Sequence, residues 1–530
     1  MIPKIIHQTW KDENLPVPAS MPQSWRAQNP DWEYRFWTDA QLAEFVKAEY
    51  PELWPLYEAA PKPVMRADIA RYLLLHHFGG LYADIDTTCL APLAAIEGES
   101  RVILSQEPSE HWPPHTLPRA LPFMVFNGTI ASPQGHPFWL HVIETLKACQ
   151  HAKKVLEATG PLMFTGAVLS YPEQSELALH SCHLFNVDTK DGTPSADTEF
   201  GPLAPLRIST HHWEGTWFNK PRFDPLKALR DVIFKGIYHI TRGKFLSEAD
   251  ARAMLDKPLL ETPLPPYDPS QLPTISILIP LRDAAPYLPR CFELLDALDY
   301  PKDLIKVTFC EGESRDNTVT LLNELIAPRI ASYRGLQVTH FTTKVNIPRR
   351  NRWRPELQKK RRAAIARVRN HLIAEGVDET DDWALWIDVD VCDYPSDILH
   401  TLLKTNAKIV TPDCTKTPGG PSYDMNAFLD IGSPKSASYY RRAVGGIFQP
   451  PANYYWRCHL HDLRYLPRVP LSSVGGTMLL VHSSVHRAGL TFPELPYGDL
   501  LETEAFGKWA CDMGISPIGL PQVEIQHVNE

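Results

Sequence analysis

Two apolar runs in this chain end in a pair of aspartates separated by one residue, and these are the only two Asp-x-Asp triplets in the sequence. One is 384–391 (ALWIDVDV), with Asp388 and Asp390; the other is 79–87 (GGLYADIDT), with Asp84 and Asp86. An uninterrupted apolar run of this length reads as a buried strand, and its polar end reads as the start of a loop. Alternate residues of a strand face opposite ways. Where the strand frays, however, both carboxylates can reach one divalent cation, because hard cations prefer carboxylate oxygen. A cation held there can in turn hold a diphosphate. Two solvated loop carboxylates are the plain alternative, but the device occurs twice, which argues for the cation.

A chain of 530 residues exceeds one ordinary core and suggests two to four domains, and 44% hydrophobic with 22% charged residues is the composition of a soluble globular protein. The formal charge of −9 opposes general nucleic-acid binding, which is mostly electrostatic. Nine cysteines without a Cys-x-x-Cys pair fit neither a zinc ribbon nor a disulfide framework, so a reducing compartment is expected. The opening MIPKIIHQTWKDEN has no signal-peptide core, and no apolar stretch is long enough to span a bilayer. The expectation is a protein neither exported by that route nor membrane-spanning.

In the first half, 4–10 (KIIHQTW) reads as an opening strand, with Trp10 placed to stack on a base or to pack at the core rim. Residues 64–78 have apolar positions at helical spacing and stop at Gly79-Gly80, a helix with a glycine C-cap. Asp68, Arg71 and Tyr72 share one flank of that helix, leading toward the Asp84/Asp86 loop. IPKIIHQTW, RADIARYLLLHHFGGLYADIDT, FNGTIASPQGHPFW, GPLMFTG and HHWEGTW, in this order over 1–220, resemble successive blocks of glycosyltransferase family 32, the DXD sugar transferases. The resemblance implies that Asp84 and Asp86 bind the sugar, ribose and Mn²⁺, that Arg66 and Asp68 hold the donor, and that His211 or its neighbour His212 completes the metal shell. Tyr72 joins this set of donor contacts.

Residues 226–245 place basic side chains (Lys227, Arg230, Lys235, Arg242, Lys244) beside an apolar set recurring every three or four positions. This predicts a basic amphipathic helix, which either lies on an anionic membrane surface or packs on its own domain. Six prolines in 258–273 exclude a helix or interior strand and mark a linker. A βαβ unit restarts at 275–280 (ISILIP), and its second strand ends in EGESRDNT, where Glu311 or Asp316 is placed to accept from a base or ribose, or to form the turn.

Residues 347–370 carry ten Arg or Lys against one Glu. As a helix from Pro355 onward, this segment sets Ile365, Val368 and Leu372 on the core face and Arg362 and Arg369 along its edge. Half-buried guanidinium groups need an anion, which is a nucleotide diphosphate, an internal carboxylate or, if Arg349 to Arg369 act together, a nucleic acid. QKKRRAAIARVRNHLI, ALWIDVDVCDYPSDIL, SSVGGTMLLV, LPYGDLLETEAFGKWACDMG and GLPQVEIQH resemble glycosyltransferase family 62, the mannan-polymerase subunits that use GDP-mannose. That resemblance, over 275–530, implies Asp388 and Asp390 on the metal, His527 as third ligand, Arg369 and Asn370 near the donor, and Glu502 and Glu504 facing the acceptor sugar. Fungal members carry an N-terminal anchor, so its absence here points to a bacterial, cytoplasmic enzyme, peripheral at most at the inner face of the cytoplasmic membrane.

The reading is therefore α/β, with two tandem GT-A (Rossmann-like) domains: 1–256 including the amphipathic segment, a linker at 257–273, and 274–530. Each domain is expected to transfer sugar with retention, using Mn²⁺ or Mg²⁺ and a nucleotide-sugar. GDP-mannose is the expected donor of the second domain, and a UDP-sugar an alternative for the first. The acceptor is a polysaccharide, glycolipid or oligosaccharide. The competing readings are one active domain with a carbohydrate-binding or structural partner, and a nucleic-acid binder.

Overall fold

The computed structural model describes residues 1–214, 225–255, 263–345, 347, 354–432, 434–451 and 454–529. Two compact units are present: Met1–Arg222 with Asp462–Pro467, and Phe223–His461 with Arg468–Glu530. The basic amphipathic segment, grouped with the first half on sequence grounds, packs in the second unit. It forms the helix Pro225–Thr241, in which Tyr238 is buried with its hydroxyl donating to Asp499. Described residues 263–273 of the proline-rich stretch form neither helix nor strand.

The strands of the first unit are β1 Ile5–Trp10, β2 Glu33–Thr38, β3 Gly80–Ala83, β4 Thr87–Cys89, β5 Val102–Ser105, β6 Thr129–Ser132, β7 Leu177–His180 and β8 Ser209–His211. Six of them form one sheet in the order β2-β1-β3-β6-β5-β7, with β1 parallel to β2 and β3, and β6 antiparallel to β3 and β5. Strands β4 and β8 pair as a separate antiparallel ribbon. The helix Pro63–Phe78 feeds β3. It starts on a proline, whose missing N–H costs nothing at a first turn, and stops at Gly79, where φ is 65° and a side chain would be strained.

The second unit contains β9 Ile275–Leu281, β10 Ile305–Glu311, β11 Gly335–His340, β12 Trp383–Ile387, β13 Val391–Asp393, β14 Ile409–Thr415, β15 Phe428–Asp430, β16 Ala443–Val444, β17 Ile447–Phe448, β18 Arg457–His459, β19 Val469–Pro470, β20 Met478–His482 and β21 Ile518–His527. Its main sheet runs β11-β10-β9-β12-β20-β14-β21-β13, with β19 on β21. The first four strands are parallel, and β20 is antiparallel to both β12 and β14. Both faces are covered, as the apolar runs require. Ile277 and Leu385 belong to one buried cluster, whereas Leu278, Ala384 and Trp386 belong to another. The expected α/β class is thus present in both units, and each main sheet mixes parallel and antiparallel pairs.

The two units repeat a plan. In each, the strand that precedes Asp-x-Asp (β3 or β12) lies between a parallel neighbour (β1 or β9) and an antiparallel one (β6 or β20). The first aspartate N–H then donates to the carbonyl just before the antiparallel strand, Asp84 to Gly128 at 2.7 Å and Asp388 to Thr477 at 3.0 Å. The next ladder also repeats, because the residue following the triplet faces a histidine in an antiparallel register, Thr87 opposite His211 and Val391 opposite His527.

Candidate active sites

In the first unit this register brings His211 Nε2 to 3.1 Å from Asp86 Oδ1. Ligand atoms of Asp84, Asp86 and His211 all lie within 4.8 Å of one another, and among the described residues this is the only group of three or more potential ligands that does so. His212, the other half of the doublet, is exposed and meets the Thr88 hydroxyl instead. Two carboxylates and an imidazole suit Mn²⁺ or Mg²⁺, and the buried Nδ1 of His211 has no hydrogen-bond partner, so the ring is not committed elsewhere. Burial alone would lower the His211 pKa, but the Asp86 carboxylate outweighs it and the ring titrates above the ordinary value. Asp86 is pulled below the ordinary value by the same contact despite its burial.

Asp84 is fixed from behind. Tyr82 donates to Asp84 Oδ1 at 2.9 Å, and Arg71 Nη1 lies 3.2 Å from the same atom. Arg71 also donates to the Asn127 carbonyl and pairs with Asp68 at 3.1 Å. Asp68 in turn accepts from Thr159 and Asn127. Burial pushes Asp68 up to about 7, with Arg71 opposing. Gly128 is required here because a Cβ would stand 2.7 Å from Asp84 Oδ2. Asp68, expected to hold the donor, is therefore a buried brace for Arg71. Tyr72 is a core ring stacked on Phe164 at 5.1 Å, its hydroxyl donating to the Thr159 carbonyl. Arg66 donates to the Ala60 carbonyl, and Trp10 to that of Asn14, both outside this network.

In the second unit His527 Nε2 lies 3.1 Å from Asp390 Oδ2, the same relation as in the first. Asp388 Oδ1 likewise meets an arginine, 3.3 Å from Arg369 Nη2, but that arginine is braced differently from Arg71. Arg369 comes from the helix Pro355–Gly376, is 4% exposed, and donates through Nε to Glu502 Oε1 at 2.9 Å. Its Nη1 is buried without a partner. Beside it, Arg362 and Arg457 both pair with Glu504, at 2.5 and 3.1 Å. Glu502 and Glu504 are thus buried in ion pairs rather than turned to an acceptor, and Arg362 is held by an internal carboxylate. Asn370 bonds both backbone groups of Phe492, which tethers a loop. Glu311 accepts from the Ser314 N–H at 2.6 Å and faces His340 at 3.2 Å, bracing its own turn. Burial raises the Asp388 pKa, with Asp390 adding and Arg369 opposing. Arg349, Arg350 and Arg352 lie outside the described residues.

Three groups escaped the sequence reading. Asp424 Oδ2 accepts from the Gly476 and Thr477 N–H groups and the Thr477 hydroxyl, anchoring the backbone beside Asp388. The Gly475-Gly476 pair makes room for Asp424 and Arg369, which a Cβ at either position would strike. A cavity of about 270 Å³ lined by Arg282, Glu313, Arg315, Lys344 and Val345 opens beyond the ends of β9, β10 and β11. Its signal was available, because each of these cations follows a strand closely and open α/β sheets bind ligands at carboxyl ends.

The sequence matches two family profiles: "Glycosyltransferase sugar-binding region containing DXD motif" at 19–107, and Anp1 at 267–496. Mannan polymerase complex subunit mnn9 of Schizosaccharomyces pombe is 29% identical over 275 residues, 48% of this chain and 80% of that protein. Inositol phosphoceramide mannosyltransferase 3 of the same yeast is 33% identical over 170 residues, 31% of this chain, and the chain spans 44% of its length. Among solved structures, a Pyrobaculum calidifontis mannosyltransferase in complex with GDP-Man and Mn²⁺ is 14% identical with a TM-score of 0.29, covering 57% of this chain and 68% of that one. The relatives are fungal, which overturns the expectation of a bacterial, cytoplasmic enzyme at the inner face of the cytoplasmic membrane. Among the described residues no helix is long and apolar enough to cross a membrane. The chain is a glycosyltransferase that joins a DXD sugar-binding region in its first half to an Anp1 region in its second.

Proposed function

We propose that each unit transfers a sugar, with retention, from a nucleotide diphosphate donor to a carbohydrate or glycolipid acceptor, so that the chain is bifunctional. The observation that carries this is the repeated register, which sets a histidine 3.1 Å from the second aspartate of each triplet. A divalent ion bound at such a site neutralises charge on the departing diphosphate. In the first unit Asp84, Asp86 and His211 would hold Mn²⁺ or Mg²⁺; in the second, Asp388, Asp390 and His527. Arg71 and Tyr82 keep Asp84 aimed, and Arg369 does the same for Asp388 while Glu502 fixes the guanidinium. The donor's diphosphate and nucleoside occupy the cationic cavity of Arg282, Arg315 and Lys344 in the second unit.

GDP-mannose is the donor proposed for the second unit, in keeping with relatives named as mannan polymerase subunits. The first unit takes GDP-mannose or a UDP-sugar. A lipid-borne acceptor suits the surface of the helix Pro225–Thr241, where Leu226, Leu229, Val232, Ile233, Ile237 and Ile240 are all about half exposed or more. Arg230 and Lys235 flank that apolar stripe, which fits peripheral contact with an anionic bilayer. One observation favours a narrower reading in which only the first unit is catalytic: among the described residues, its three ligand atoms alone are gathered within 4.8 Å. Nucleotide release by the full chain across a panel of GDP- and UDP-sugars tests the donor assignment. The expected result is GDP release from GDP-mannose, with donor affinity lost in Arg282→Ala/Arg315→Ala and the melting temperature kept; unchanged affinity in that variant contradicts it.

A further inference from the structure

A second cavity in the same unit, of about 170 Å³, has no role in the account so far. It is walled by Tyr439, Phe448, Tyr454 and Trp456, with Ser438 and Arg442 among its polar lining. Tyr439 and Phe448 stack at 4.2 Å with their planes 19° apart, and Tyr454 meets Phe448 edge-on at 5.1 Å. Those first two rings are buried, at 7% and 3% exposed, whereas Tyr454 and Trp456 are half-buried and Arg442 is exposed. The cavity therefore has an aromatic floor and a mouth that offers hydrogen-bond donors.

The lining discriminates among ligand classes. A purely apolar ligand would leave Ser438 and Arg442 facing it without purpose, and a diphosphate would find one cation here against three in the donor cavity. A neutral sugar ring uses both parts, because its C–H faces lie on aromatic rings while its hydroxyls bond to the polar groups.

The cavity wall is tied to the candidate metal site by one short turn. Asp499 accepts from the Tyr439 hydroxyl at 2.5 Å and from the Tyr238 hydroxyl, and its carbonyl accepts from the Phe448 N–H at 2.7 Å. Three residues on, Glu502 holds Arg369, which holds Asp388. Asp499 and Glu502 have φ of 67° and 59°, left-handed values that non-glycine residues adopt at a cost and that cluster at functional sites. A second link runs through Arg457, which lies 5.5 Å from the Phe448 ring and bonds Glu504.

We propose that this aromatic cavity is an acceptor subsite that holds one neutral hexose residue of the glycan to be extended. The proposal rests on the reading of the second unit as a transferase, and its test separates the two. With full-length protein and α-linked mannobiose as probe, saturation-transfer NMR and calorimetry are expected to detect binding that Trp456→Ala and Tyr454→Ala each weaken about tenfold, the scale of one lost aromatic contact. GDP affinity should stay unchanged in both variants, which also reports that they fold. In turnover, the acceptor KM should rise with kcat little altered. Mannobiose binding unaffected by both variants would overturn the subsite, as would decanoate binding there in place of mannobiose, or a parallel loss of GDP affinity. If the wild type transfers no sugar yet the variants still lose mannobiose, the transferase reading fails and the glycan site stands.

Discussion

The same four-residue device, Asp-x-Asp facing a histidine across a ladder, is braced in two different ways. In the first unit the arginine behind the leading aspartate is neutralised by its own helix, since Arg71 and Asp68 are three residues apart. In the second, Arg369 finds its carboxylate in Glu502, 133 residues away, on a strained turn. Local bracing gives a cluster whose ligands are already gathered. Long-range bracing ties Asp388 to the turn that also carries Asp499 and the wall of the aromatic cavity, a link that has no counterpart in the bracing of Asp84.

The largest expected effect is on metal removal. Carboxylates and a diphosphate repel one another without an intervening cation, so EDTA should abolish transfer at both sites, with Mn²⁺ restoring it. Because its ligands are preassembled, the first unit should recover at the lower Mn²⁺ concentration; equal recovery would erase the distinction drawn here. Full activity in chelator would sink the metal assignment in both.

Next come the braces. Arg71→Ala and Arg369→Ala each leave a buried carboxylate unpaired and are expected to cost about 3–5 kcal/mol in unfolding experiments. The contrast lies in the partner variants. Asp68→Asn should impair only first-unit transfer, and Glu502→Gln should impair second-unit transfer together with mannobiose binding. Loss of mannobiose binding in Asp68→Asn, or its retention in Glu502→Gln, would break the comparison.

A smaller effect depends on pH. Asp68 titrates at about 7 in the fold, above the roughly 3.9 of an unfolded chain. A carboxyl raised in this sense leaves stability intact below its unfolded value and removes it as pH rises through the folded one. The melting temperature of the first unit should therefore fall between about pH 4 and about pH 7, the unfolded and folded values, and Asp68→Asn should flatten that slope. An equally steep slope in the variant would contradict it. The smallest effect concerns the exposed stripe of the Pro225–Thr241 helix. Flotation with anionic vesicles should be modest and salt-sensitive, each basic residue near the surface contributing about 1 kcal/mol. Flotation unchanged by Lys235→Glu with Arg230→Glu would remove the membrane contact.

What was legible in the sequence follows from how far each relation reaches. The two apolar runs with their aspartates, the Gly79 stop and the strand–helix restart at 275 are local patterns, and all have structural counterparts in β3, β12 and β9. The histidines were reachable only through family resemblance, because a ladder between β4 and β8 or β13 and β21 leaves no mark on local spacing. Arg362 and Arg369 were read as edge residues in need of anions; in the fold Arg369 is buried and pairs with the nearby Asp388, but the other anions, Glu504 for Arg362 and Glu502 for Arg369, lie far along the chain. Arg66, Tyr72 and Asn370 illustrate the same limit, since their spacing fits a site while their hydrogen bonds go to Ala60, Thr159 and Phe492.

The central claim is that two Asp-x-Asp sites perform separate transfers. The most direct measurement is mass spectrometry of products from wild type, Asp86→Asn and Asp390→Asn, with a shared acceptor and each step's product also supplied. Each variant is predicted to lose one sugar addition and keep the other, with the product of one unit serving as acceptor for the other. Tethering would favour such relay by raising local concentration. A single variant that removes every addition even when the other step's product is present, or that leaves the wild-type pattern intact, would contradict it.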